Sequence, residues 1–227
     1  YTMKKINLLI VSIALIFSSC TDTATYKTPE TEMEKVSYSL GVNMASSVKQ
    51  QGMETIDAQA VAKAFADVFE GNDLDISEEE SMTTLQDFFG KMQAEKSAKA
   101  NEAGAAYLTE NGAKEGVITT ESGLQYEVIV SGDGAKPTTA DQVTVHYHGM
   151  LTDGTVFDSS VDRGEPATFG VTQVIKGWTE ALQLMSVGDK WKLTIPSGLA
   201  YGDQGAGGMI GPGATLVFEV ELLGITN

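Results

Sequence analysis

Cysteine is almost missing from this 227-residue sequence, with Cys20 the only one. A single thiol forms no intrachain disulfide framework, no Cys-based zinc site and no CxxC redox pair. Histidine is nearly as scarce. His146 and His148 stand alone, two positions apart, so a Ser-His-Asp arrangement could run only through them. Positive charge is short as well: 15 Lys and Arg against 31 Asp and Glu give a net charge of −16. No basic cluster overrides this locally, so nucleic acid is disfavoured and is not expected as a partner. Long apolar runs are also lacking. The stretch from Ile6 to Phe17, broken only by Asn7 and Ser12, falls short of the ~20 residues that a spanning helix needs.

That stretch follows Met3-Lys4-Lys5 and precedes Ser18-Ser19-Cys20. A positive n-region, an apolar h-region and a small-residue cleavage site make a secretory signal. Residues 1–19 resemble a bacterial lipoprotein signal, whose Cys20 would carry lipid and anchor the protein to a membrane of the cell envelope, on the periplasmic side or at the outer membrane. An ordinary cleaved signal with an incidental cysteine is the alternative. Residues 20–31 are polar and read as a flexible tether.

Residues 32–112 read as all helical. Thr31-Glu32-Met33-Glu34 has capping-box spacing, and Val36, Leu40, Met44 and Val48 recur on one helical face. Asp57 caps a second helix from Ala58 to Glu70, which Gly71-Asn72 stops. Ser77-Glu78-Glu79-Glu80 opens a long third helix reaching about Asn111-Gly112. Past Lys91 its large apolar residues thin out to Met92, Tyr107 and Leu108, and a helix polar nearly all round bridges domains in solvent or meets another chain. Helices this few and short make no roomy core alone, so a homodimer of two copies is the natural solution. Asp73-Leu74-Asp75-Ile76-Ser77 imitates an EF-hand start, but Glu78 and Thr84 occupy the positions that need Gly and Glu.

From residue 113 the pattern changes to strands. Leu124 to Ile129 alternates, as does Val143-Thr144-Val145-His146-Tyr147. Val156-Phe157-Asp158 and Gln173-Val174-Ile175-Lys176-Gly177-Trp178 follow, then a short helix near Thr179–Leu184. Lys190 to Ile195, Leu199-Ala200-Tyr201-Gly202, a glycine-rich loop and Ala214 to Leu223 complete the run. These elements suggest an α+β arrangement, an antiparallel sheet wrapped on one short helix, preceded by the all-α region with its long linking helix.

In order and spacing, residues 113–227 resemble a peptidyl-prolyl cis/trans isomerase domain of the FKBP family. The N-terminal helices are similar to the dimerisation domain fused to such modules in secreted bacterial proteins. The resemblance implies a dry aromatic pocket for Xaa-Pro segments of unfolded or exported polypeptides, and it implies no cofactor and no metal. Tyr147, Phe157, Phe169, Val174, Ile175, Trp178, Tyr201, Ile210 and Phe218 would line it, with Trp178 as the floor. Asp158 matches a buried carboxylate and Arg163 its ionic partner. The Tyr201 hydroxyl and the Ile175 N–H match the two donors to the substrate. Asp158, Tyr201, Tyr147 and Phe218 are thereby the catalytic candidates. Ala167, Ala206 and Met209 depart from the family at the pocket rim and leave macrolide affinity open. A holdase chaperone, with the domain serving mainly to bind peptide, is the alternative function. His146 and His148 share the strand face opposite to Tyr147, so they point away from the pocket if Tyr147 points in.

Overall fold

The computed structural model describes residues 27–226. The signal segment, Cys20 and residues 20–26 of the tether lie outside the described residues. Contacts divide the chain into two compact units, one up to Leu74 and one from Asp75 onward.

The first unit holds α1 (Glu32–Gln50) and α2 (Ala58–Glu70). The expected capping box is complete at α1: Thr31 Oγ1 accepts the Glu34 N–H at 3.2 Å and Glu34 Oε2 accepts the Thr31 N–H at 2.9 Å. At α2, Asp57 Oδ1 accepts the N–H groups of Gln59 and Ala60, and Gly71 ends the helix at φ 73°, a left-handed conformation open to glycine. The α1 stripe of Val36, Leu40 and Met44 is 45–56% exposed. Among the described residues its amphipathic face has no core beneath it.

The second unit opens with α3 (Glu78–Gly112), which Ser77 caps through the Glu80 N–H at 3.1 Å. Among the described residues seven strands follow: β1 (Val117–Thr119), β2 (Gln125–Val130), β3 (Gln142–Leu151), β4 (Val156–Ser159), β5 (Ala167–Gly170), β6 (Lys190–Ile195) and β7 (Leu216–Thr226). All pairings are antiparallel, in the order β1-β2-β6-β7-β3-β4, with β5 also on β3. The short α4 (Ser160–Arg163) leaves β4, and α5 (Lys176–Leu184) packs on the buried face of the sheet. Period-two alternation aims Val143, Val145 and Tyr147 of β3, Leu193 and Ile195 of β6, and Leu216, Phe218, Val220 and Leu222 of β7 at Trp178, Ala181 and Leu182 of α5. Each such side chain contributes ~1.5–3 kcal/mol by leaving water. Gly177 lets helix and sheet touch, because a Cβ there would lie 2.5 Å from Ile195 Cγ2.

The C-terminal half of α3 departs from the expectation of a helix bridging domains in solvent. Ser97, Gly104 and Asn111, seven residues apart, are buried. Asn111 Nδ2 donates to Gln125 Oε1 at 2.9 Å and to Thr194 Oγ1 at 3.3 Å, while Gln125 Nε2 donates to the Leu108 carbonyl at 2.8 Å. A Cβ on Gly104 would sit 2.3 Å from Thr215 Oγ1. The docking face is made of small and polar residues, which a search for apolar periodicity passes over.

Candidate active site

Between α5 and the sheet lies a cavity of about 390 Å³ lined by Tyr147, Phe157, Asp158, Phe169, Gln173, Val174, Ile175, Trp178, Tyr201 and Phe218. Trp178 is its hub. Its ring meets Tyr147 at 5.4 Å and 83°, Phe218 at 5.3 Å and 79°, and Phe169 at 6.0 Å and 90°. Phe157 meets Phe218 edge-on at 5.5 Å. Edge-to-face contacts of this kind are worth ~0.5–1.5 kcal/mol each beyond burial, so the rings fix one another. Gly149 on β3 makes room for them: a Cβ there would lie 2.7 Å from Phe218 Cε1 and 2.9 Å from Phe157.

The polar rim is one connected cluster. Tyr147 donates its hydroxyl to Asp158 Oδ2 at 2.5 Å. Arg163 pairs with Asp158 Oδ1 through Nη1 and donates from Nη2 to the Tyr147 hydroxyl at 2.9 Å. Its guanidinium also lies over the Tyr147 ring, 5.6 Å from the centroid. Partial burial works against a charge on Asp158, but the hydrogen bonds from Tyr147 and Arg163 and the Arg163 charge outweigh it and hold the carboxyl below its ordinary range. Burial, then the bond to Asp158, pushes the Tyr147 hydroxyl up. The hydrogen bonds that Arg163 donates to Tyr147 and to Asp158 push its own guanidinium up.

Two positions differ from the resemblance. Asp158 is not a buried carboxylate: its side chain and that of Arg163 are each 46% exposed, because the pair sits at the mouth where β4 runs into α4. Ile210 is buried in the core cluster beside the cavity and does not line it. Gln173, the first residue of the run that ends at Trp178 but not one expected in the lining, joins it from the turn before α5. Among the described residues the Ile175 N–H and the Tyr201 hydroxyl have no protein hydrogen-bond partner. The loop after Tyr201 is closed by reciprocal backbone bonds between Ala206 and Ile210 at 2.8 and 3.0 Å. His146 and His148 bond Ser160 Oγ and Ser159 Oγ from the other face of β3.

Aromatic walls, a fixed ionised rim and unspent donors suit rotation about an amide bond, which forms and breaks no covalent bond and needs only the twisted state held. The class defined by this fold and pocket is a peptide-bond isomerase. Residues 134–223 match the family of FKBP-type peptidyl-prolyl cis-trans isomerases, and residues 33–128 match the domain amino terminal to FKBP-type peptidyl-prolyl isomerase. The chain belongs to the FKBP-type peptidyl-prolyl cis-trans isomerases and is an enzyme of that activity. It is 48% identical over 207 residues to the FKBP-type 22 kDa peptidyl-prolyl cis-trans isomerase of Escherichia coli strain K12, covering 89% of this chain and 98% of that one. It is 41% identical over 230 residues to the "Outer membrane protein MIP" of Legionella longbeachae, covering 98% and 97%. The crystal structure of FkpA from Escherichia coli superposes with a TM-score of 0.65 at 36% identity, covering 88% of this chain and 99% of that chain.

Proposed function

We propose that this isomerase accelerates the folding of exported polypeptides by seating the proline of an Xaa-Pro segment over Trp178. Amide resonance sets a barrier of ~18–20 kcal/mol, and the unaided bond turns over in tens to hundreds of seconds. An apolar wall of Tyr147, Phe157, Phe169, Val174 and Phe218 disfavours the charge-separated resonance form. The Ile175 N–H and the Tyr201 hydroxyl hold the carbonyls of the twisted peptide, which is stabilisation directed at the transition state. Asp158 is the one ionised group of the lining. Arg163 and Tyr147 saturate it, so it sets the shape and field of the mouth without moving a proton. The observation that carries this reading is the set of edge-on rings around Trp178 beneath that rim.

Residues 32–112 serve as a dimerisation arm and the isomerase domain occupies 113–227. Exposed Val36, Leu40 and Met44 on α1 are the apolar surface that a second copy covers. Lipid on Cys20 holds the mature protein in the cell envelope, a reading supported by the signal-like start and by the name of the Legionella relative. The same exposed apolar residues, with Phe69 at 80% and Met82 at 68%, favour a second reading, in which the helices hold unfolded clients and catalysis is secondary.

A protease-coupled assay on short Xaa-Pro peptides tests the pocket, comparing the parent with Asp158→Leu and Tyr201→Phe. Activity that falls in both folded variants supports the roles of Asp158 and Tyr201. Unchanged activity in both removes them. Suppression of client aggregation that persists in inactive variants would favour the second reading.

A further inference from the structure

Helix α3 grips the segment that carries Tyr201 on both sides of that residue. Two short 3-10 turns, Ser197–Leu199 and Gly202–Gln204, flank Tyr201. Ahead of it, Ser197 donates its hydroxyl to Asn101 Oδ1 at 2.6 Å. Beyond it, Gln93 Nε2 donates to the Asp203 carbonyl at 2.6 Å, and Ser97 donates its hydroxyl to Asp203 Oδ1 at 2.5 Å. Asn101 Nδ2 donates to Ser97 Oγ at 3.1 Å and ties the two grips together. Gln93, Ser97 and Asn101 are four apart and share one helix face. Ser97 is 4% exposed, so its bond is sheltered from competing water.

The returning end of the loop meets the same face. A Cβ on Gly213 would stand 2.5 Å from the Ser97 carbonyl oxygen and 2.8 Å from Ser97 Oγ, and the Gly213 N–H closes the loop on the Gly202 carbonyl at 2.9 Å. Tyr201 itself is 40% exposed, and its hydroxyl has no partner among the described residues. Its place over the cavity is therefore set through its backbone.

We propose that the Gln93–Ser97–Asn101 face of α3 is a positioning element for Tyr201, fixing the backbone on either side so that the hydroxyl meets the substrate carbonyl. The proposal rests on the reading of Tyr201 as a substrate-contacting residue. It makes the long helix part of the catalytic apparatus as well as a connector. A misplacement of about 1 Å can cost up to ~10²-fold in rate; loosening one side chain of a half-open site lowers kcat/KM by about three- to tenfold.

The test is a double-mutant cycle in the full chain, with the Ser97→Ala/Asn101→Ala pair against Tyr201→Phe. The pair is expected to lower kcat/KM on Xaa-Pro peptides about three- to tenfold in the parent and less than twofold in the Tyr201→Phe background. A purely structural defect would lower both backgrounds alike. Asp203→Asn, which keeps an acceptor oxygen, is expected to retain more activity than Asp203→Ala, and this comparison decides the matter should the helix pair fail to fold. Equal losses in the two backgrounds, or no loss from the pair while Tyr201→Phe is impaired, overturn the positioning role. No loss from Tyr201→Phe itself overturns the reading of Tyr201 and its positioning with it, a pattern distinct from the other two.

Discussion

Gly149→Ala places one methyl group behind the pocket wall, and its effect follows from two distances. The added carbon would lie 2.7 Å from Phe218 and 2.9 Å from Phe157, where ordinary contacts begin near 3.4 Å, so the rings must separate from it by roughly 0.5–0.7 Å. Phe218 is 5% exposed and already set edge-on against Trp178, which leaves it no space inward. Phe157 lines the open cavity and yields into it. Overpacking of this size costs ~1–3 kcal/mol, and replacing glycine recovers ~0.4–1 kcal/mol by restricting the unfolded chain. The net loss of stability is thus about 0–2.5 kcal/mol. Strain relieved into an empty pocket returns when a proline ring must occupy it. A penalty of about 1–2 kcal/mol on the bound transition state is a fall of roughly 5–30-fold in kcat/KM. The protease-coupled assay measures this, with a thermal melt to establish that the variant is folded. A folded variant whose kcat/KM stays within twofold of the parent would refute the idea that these rings are the substrate's wall.

Other outcomes follow from the rim and the turns. Asp158 lies below its ordinary range and Tyr147 above its own. The carboxylate's contribution is therefore present above about pH 3.9 and lost as pH falls through its lower folded value, and the hydroxyl's is present below about pH 10 and lost above its raised value. Activity measured directly on a prolyl peptide without the coupling protease should stay flat from about pH 5 to 9, and a step within that window would contradict the cluster. Asp158→Asn should change stability by less than ~1 kcal/mol, because both partners are 46% exposed, while kcat/KM falls on the order of tenfold; denaturant titration and the peptide assay separate the two. Asp189 is 5% exposed and accepts the N–H groups of Gly132 at 2.6 Å and Ser186 at 2.7 Å. Asp189→Ala strands both donors and should cost about 2–4 kcal/mol, lowering the melting temperature by roughly 4–16 °C.

The strands around the pocket were legible because they obey a strong local rule: Val143, Val145 and Tyr147 alternate as a half-buried strand must. The gathering of the Phe157, Trp178 and Phe218 rings was implied by the resemblance to the FKBP family and not by any local pattern. The helix starts at Thr31, Asp57 and Ser77 were equally plain, since a capping side chain answers orphan N–H groups within three residues. The exposure of Asp158 was not legible. Whether a carboxylate is covered depends on how far β4 and α4 stand from the cavity mouth, and that distance has no local signature. Gly149 reads in sequence as a weak point in a strand, and only the ring atoms behind it reveal it as a space requirement.

The docking of α3 marks where pattern reading fails for a physical reason. Amphipathicity detects surfaces that leave water for apolar contact. Ser97, Gly104 and Asn111 leave water for hydrogen bonds and close backbone approach. A glycine at the centre of such a face costs ~1 kcal/mol in helix propensity against alanine, and here it admits Thr215 at a distance no side chain would allow. If that trade holds the helix to the sheet, Gly104→Ala should lower the unfolding midpoint despite its better propensity. A midpoint that rises instead, as propensity alone dictates, would mean that the contact with Thr215 is incidental. Urea titration of the full chain reads the sign directly, and the sign is enough.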